Sequence, residues 1–199
     1  MDIAEKLRRI NDRQGRKLHR IVHESLPALV EGAQPLDRKV IRLRQIADSA
    51  AEVIQPFTPC RKGCSACCHN PAIISEVDAM RVAEATGTPL AQPRQLFDVA
   101  AGEDARRQYF SRYAGIACAF LEDGACSIYE HRPVVCRVQH SIEDTPAACD
   151  AGGQPASVDL TPIYLGELRM MGRMMPYADI REFFPPRAAQ AAPSPAVRS

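Results

Sequence analysis

Eight cysteines lie between positions 60 and 149 of this 199-residue chain. Four are packed into one block, Cys60-Arg-Lys-Gly-Cys64-Ser-Ala-Cys67-Cys68-His69, and four follow at wider intervals, Cys118, Cys126, Cys136 and Cys149. Thiolates in such numbers ligate zinc, iron or an iron–sulfur cluster. Disulfides fit the pattern poorly. Cys67 and Cys68 are neighbours, with Cα atoms about 3.8 Å apart, whereas ordinary disulfides span roughly 4.4–6.8 Å. Read as a helix with Thr58 as cap and Pro59 first, the block gathers its four thiols within an arc of about 100°. The positive end of that helix, with Arg61 and Lys62, would favour the thiolates. All eight cysteines are therefore candidate metal ligands.

Four thiolates around a divalent ion, or around a cubane cluster, leave excess negative charge that neighbouring donors and cations must offset. Arg61, Lys62, Arg132 and Arg137 adjoin the candidate ligands. His69, His131 and His140 can ligate or donate hydrogen bonds, and sequence alone does not choose. The spacing Cys60-x3-Cys64-x2-Cys67 also occurs in radical enzymes that use S-adenosylmethionine. Their large barrel is not foreshadowed here, because helices precede the motif and no alternation of strands and helices follows. Met170, Met171, Met174 and Met175 are thioethers suited to Cu(I), but the same cluster is ordinary filler on a packed helix. No nucleophile elbow for a hydrolase occurs.

The pattern resembles the CxxCxxCC family, described as zinc- or iron-chelating. The resemblance rests on CRKGCSACCHN (60–70), on CAFLEDGACSIYEHRPVVCR (118–137), and on Cys149 shortly after. The middle segment is the specific one, since Ile128-Tyr129-Glu130, Arg132-Pro133 and Cys136-Arg137 all match. Ala119 stands where the family usually has proline. The resemblance spans about 58–150 and implies that the eight cysteines chelate zinc or iron, with a [4Fe–4S] cluster among the cofactors open to them. It also implies an alternative, a metal-dependent redox or methyl-transfer enzyme related to cluster-containing flagellin lysine methylases. In either case Pro133 would fix a turn, while Arg132 and Arg137 would neutralise thiolate charge or form a charged rim.

The elements that must hold these residues are mostly helical. Ile3, Leu7, Ile10, Leu18, Ile21, Val22, Leu26 and Leu29 recur near helical spacing, predicting a helix over 2–32 with a break near Gly15. Further helices are expected over 36–54, from a Ser75 cap to Gly87, over 92–113 with an interruption at Gly102, and over 161–182. Residues 118–136 read as short turns. The expected fold is mainly α, a helical scaffold around an irregular, turn-rich metal site with little or no sheet. The expected layout is an N-terminal helical arm (1–57), a cysteine-cluster domain (58–150), a C-terminal helical segment packed on it (151–184) and a disordered tail (185–199).

Net charge is +1, so no global field draws the chain to nucleic acid. Residues 1–45 nevertheless carry eleven Lys or Arg against six Asp or Glu. That excess suits a solvated helix face, or else a surface for a protein partner or RNA. No run approaches the roughly 18 apolar residues that membrane spanning needs. The charged N-terminus lacks a secretory core, so a cytoplasmic, reducing location is expected, where clustered cysteines favour metal over disulfide.

Overall fold

The computed structural model describes residues 1–149, 155–172 and 175–185. Its helices are α1 (Ile3–Arg20), α2 (Leu26–Glu31), α3 (Leu36–Ile54), α4 (Glu76–Thr86), α5 (Glu103–Ser111), α6 (Val134–Val138), α7 (Thr161–Met171) and α8 (Ile180–Phe183). Four short strands make two two-stranded antiparallel sheets, β1 (Ile73–Ser75) with β4 (Tyr177–Asp179), and β2 (Leu121–Glu122) with β3 (Ala125–Cys126). The mainly α expectation holds. Among the described residues no helix is long and apolar enough to cross a membrane.

Helix α1 starts where Asp2 accepts a hydrogen bond from the Glu5 N–H at 2.7 Å, one of the donors a helix start leaves unpaired. The helix does not break at Gly15. It passes instead through a π turn, Ile21–Ser25, into α2. Helix α3 keeps its predicted limits, because Val40, Leu43, Ile46, Ala47, Ala50, Val53 and Ile54 form a continuous buried stripe. Leu43, Ile46 and Ala50 pack with Ile10, Leu26 and Leu29 from the N-terminal helices and with Val134 and Ile163 from α6 and α7. A Cβ at Gly166 would lie 2.6 Å from Leu26 Cδ1, so glycine there lets α7 approach α2 closely.

A second apolar cluster joins Ile74, Val82, Phe120, Ile128, Ile180 and Phe183. A third joins Val40, Ile73, Tyr109, Tyr113, Met171 and Tyr177. The β1–β4 pair, in the register Ile74 opposite Ala178, runs between these two clusters. It thereby fastens the C-terminal segment to the chain that leaves the cysteine block.

Three predicted helices are corrected. The expected helix over Cys60–Cys68 is absent. Gly63 has φ +93°, a left-handed conformation incompatible with a helical turn, and only Ala66–His69 winds into a 3₁₀ turn. Residues 92–102 are not helical, because tertiary partners take their backbone donors. Arg94 and Gln95 N–H groups bond to the Glu182 carboxylate at 2.8 and 3.2 Å, and Phe97 N–H bonds to Tyr177 O at 2.6 Å. The last long helix stops at Met171 before Gly172, whose φ is +65°, and the chain then enters β4. Met170 packs on the first cluster, whereas Met171 and Met175 belong to the third. Those thioethers are divided between two cores, as packing filler. Met174 and the tail 186–199 lie outside the described residues.

Candidate metal centre

The cysteine block is fixed at both ends by short polar contacts. Thr58 Oγ1 donates to Ser141 O at 2.5 Å and accepts from Cys60 N–H at 3.0 Å. Ser141 N–H in turn donates to Cys60 Sγ at 3.3 Å. Cys149 ends a 3₁₀ turn, Pro146–Cys149, and its carbonyl accepts from Asn70 Nδ2 at 3.2 Å. Backbone bonds run from Cys118 N–H to Cys68 O and from Gly115 N–H to His69 O, both at 2.8 Å. Segments far apart in sequence are thus tied around one locus.

The thiols surround two small adjoining cavities. The outer one, about 30 Å³, is lined by Cys60, Cys64, Cys67 and Cys149 together with Arg61 and His140. The inner one, about 40 Å³, is lined by Cys68, Cys118, Cys126 and Cys136, and Cys64 and Cys67 reach it too. Arg132 borders both cavities. Among the described residues, no three His, Cys, Asp or Glu side chains already stand in ion-holding geometry. The thiols ring the two spaces without closing on a point.

Their electrostatics follow from this crowding. The Cys68 thiol hydrogen-bonds to Cys67 and Cys126, which lowers Cys67 to about 7 and Cys126 to about 6. Burial opposes both shifts, and the Arg132 guanidinium assists them. Cys68, sharing its proton with both neighbours, moves upward. Burial raises Cys118 to about 11, against the Phe120 N–H and the Arg181 charge. Cys136 is raised well above its ordinary value by burial first, then by the surrounding thiols. Cys149 is raised by burial and then by Cys60. Protons therefore occupy a space in which a bound divalent ion would displace them, as thiolate ligation of metals requires. The donor set, all sulfur with N–H groups and arginines behind it, suits zinc or iron.

The specific segment Ile128–Arg137 is legible in atoms. The Arg132 guanidinium lies 3.7 Å over the Tyr129 ring, and its Nε donates to Tyr129 O at 2.9 Å. Arg132 is thereby held at the thiols, as expected. Arg137 is not. It donates to Arg132 O at 2.7 Å, to Glu130 O at 2.6 Å and to Asp48 at 2.5 Å, so it braces the turn against α3. Pro133 precedes α6, which carries Cys136 in its first turn. Buried Asp78 accepts from Val134 N–H at 2.9 Å and from Arg44 Nη2 at 2.7 Å.

Sequence reasoning missed one residue of the site. Arg181, 5% exposed, lines the inner cavity. Its guanidinium donates to the carbonyls of Cys68 (3.1 Å), Asn70 (3.3 Å), Ile116 (2.5 Å) and Ala117 (3.3 Å), and to the buried Asp179 carboxylate (2.8 and 3.1 Å). The available signal was Asp179 and Arg181 alternating with the apolar residues Ala178 and Ile180 in the run Tyr177–Phe184. Buried charges of that kind are retained only when paired. Of the three histidines left open, His140 borders the outer cavity but has both nitrogens engaged, Nδ1 with Val138 O at 2.9 Å and Nε2 with Val158 N–H at 3.1 Å. His69 and His131 line neither cavity.

Residues 59–151, just under half of the chain, match the model of the CxxCxxCC family, whose description reads "Putative zinc- or iron-chelating domain". No curated protein and no solved structure matches the chain.

Proposed function

We propose, with the family match over 59–151 as premise, that this protein chelates zinc or iron in two adjoining four-thiolate centres. The outer centre uses Cys60, Cys64, Cys67 and Cys149. The inner one uses Cys68, Cys118, Cys126 and Cys136. The peptide between Cys67 and Cys68 joins them. The observation that carries this reading is the gathering of eight thiols, drawn from distant segments, around two neighbouring cavities, with Cys64 and Cys67 bordering both.

Two sets of four thiols match the number of sulfurs that closes the coordination of a single zinc or iron ion. Charge supports the same arrangement. Each four-thiolate ion is doubly negative, and Arg61, Arg132 and Arg181 stand at the outer, shared and inner walls. Four protein sulfurs close the coordination of an ion, which favours holding the metal over catalysis at it. A reducing, cytoplasmic setting keeps such thiols available.

The test is metal analysis of protein purified without oxygen. The reading predicts two zinc or iron ions per chain and thiols that resist alkylation until a chelator is added. A metal-free protein whose thiols all react at once would overturn it. Four irons with matching inorganic sulfide would replace the single-ion form with a cluster.

A further inference from the structure

A second kind of donor lies away from the cysteines. His19 and His23 occupy positions i and i+4, where α1 passes into the π turn. That is the spacing by which two histidines on one helical face grip a zinc ion in HExxH helices. Their rings are 4.5 Å apart between centroids, tilted by 37°. Both residues are exposed. Among the described residues, neither imidazole makes a hydrogen bond or ion pair, in contrast to His140, whose nitrogens are both occupied.

The surroundings suit an ion. The pair opens onto an open groove of about 800 Å³ between α1 and residues 158–162. Glu24 and Asp159 face Arg16 and Arg20 around it, so their formal charges cancel and a divalent cation meets no net repulsion. The backbone beneath is held, with Ile21 buried and Leu18 and Val22 packed on the first apolar cluster together with Val158 and Leu160. Two donors are therefore already paired on a fixed stretch of helix, which reduces the ordering a metal must impose. A π turn at such a place is a recurrent mark of functional sites.

We propose that His19 and His23 form a separate, exchangeable site for a divalent late-transition ion. Two imidazoles leave the remaining coordination positions to water or to an incoming ligand. Binding there is consequently weaker and faster than in a centre closed by four thiolates. Imidazole ligands suit Ni²⁺, Cu²⁺ and Zn²⁺.

The probe is Ni²⁺, added to the untagged full chain as purified and followed by calorimetry and absorption. The expected result is one ion per chain bound without thiolate-to-nickel charge-transfer bands. His19→Gln should weaken it by at least the roughly 10–100-fold that even an outer-shell change costs a metal site, and His23→Gln likewise. Zinc or iron content should stay the same in both variants. Because both side chains are exposed, an unchanged melting curve will show that the fold persists. Nickel binding that survives the double variant, or that brings thiolate bands with it, overturns the proposal. Neither outcome bears on the cysteine centres, which are judged by their own metal content.

Discussion

The outer and inner cysteine cavities share Cys64, Cys67 and Arg132, yet they are built differently. The outer one rests on irregular backbone, the 58–65 loop and a 3₁₀ turn ending at Cys149. The inner one is walled by Ile128, Pro133 and Ile180 and clamped by Arg181. It also draws on β3 for Cys126 and on α6 for Cys136. The contrast separates two tasks. A thiol set embedded in apolar packing is part of the fold. One on loops is coupled to the fold mainly through its ligand.

The largest effect should come from the inner set. Cys136→Ala should abolish the inner ion and the cooperative melting of residues 58–149, since thiolate–zinc binding in small domains is worth about 10 kcal/mol or more. Full metal content with an unchanged melting curve would remove Cys136 from the site.

Arg181→Met should come next. It leaves the buried Asp179 carboxylate without its cation and takes one donor from each of four carbonyls, a loss of about 3–5 kcal/mol for a broken buried pair. The inner ion should be lost before the outer one, as read by metal content against chelator concentration. Arg181→Lys should restore part of the charge but not the fork of contacts. Simultaneous loss of both ions would show that the clamp does not act on the inner set in particular.

Cys149→Ser should have a smaller effect on stability. It should empty the outer centre, while thermal unfolding monitored at the Tyr-rich third cluster shifts little. A collapse equal to that of Cys136→Ala would erase the distinction between the two centres.

The last effect is one of pH and concerns a group outside both. Glu167 is buried, with Oε1 bonded to Ser75 at 2.9 Å and Oε2 without a partner among the described residues. Burial, followed by the nearby Asp78 carboxylate, raises it from 4.5 to about 8. The folded protein therefore keeps a proton that the unfolded chain releases. Its stabilising contribution is full below about pH 4.5 and is lost as pH rises through about 8, at roughly 1.4 kcal/mol per pH unit at most. Glu167→Gln should flatten the melting temperature across that window. An equally steep profile in the variant would assign the slope to other groups.

How far the sequence could be read depended on whether a signal was local. Helix α3 and the Ser75 cap were legible because their patterns lie within one element, and the Ser75 hydroxyl does accept from Asp78 N–H at 3.1 Å. The cysteine block misled because its helical spacing was real but Gly63 imposed a turn. Residues 92–102 and 177–179 misled for a tertiary reason. Glu182 and Tyr177 claim the backbone donors of one, and pairing with Ile73–Ser75 claims the other. The cysteines announced themselves as candidate ligands by type and number. Their division into outer and inner sets, and the role of Arg181, depended on long-range contacts that no spacing encodes.

The most direct test is X-ray absorption at the metal edge of the His19→Gln/His23→Gln variant purified without oxygen, in which the histidine pair cannot add ligands of its own. Two four-thiolate centres predict a single shell of four sulfurs per metal, at about 2.3 Å for zinc, with no imidazole scattering. Nitrogen or oxygen ligands in that shell, or the short metal–metal vector of a bridged cluster, would contradict it.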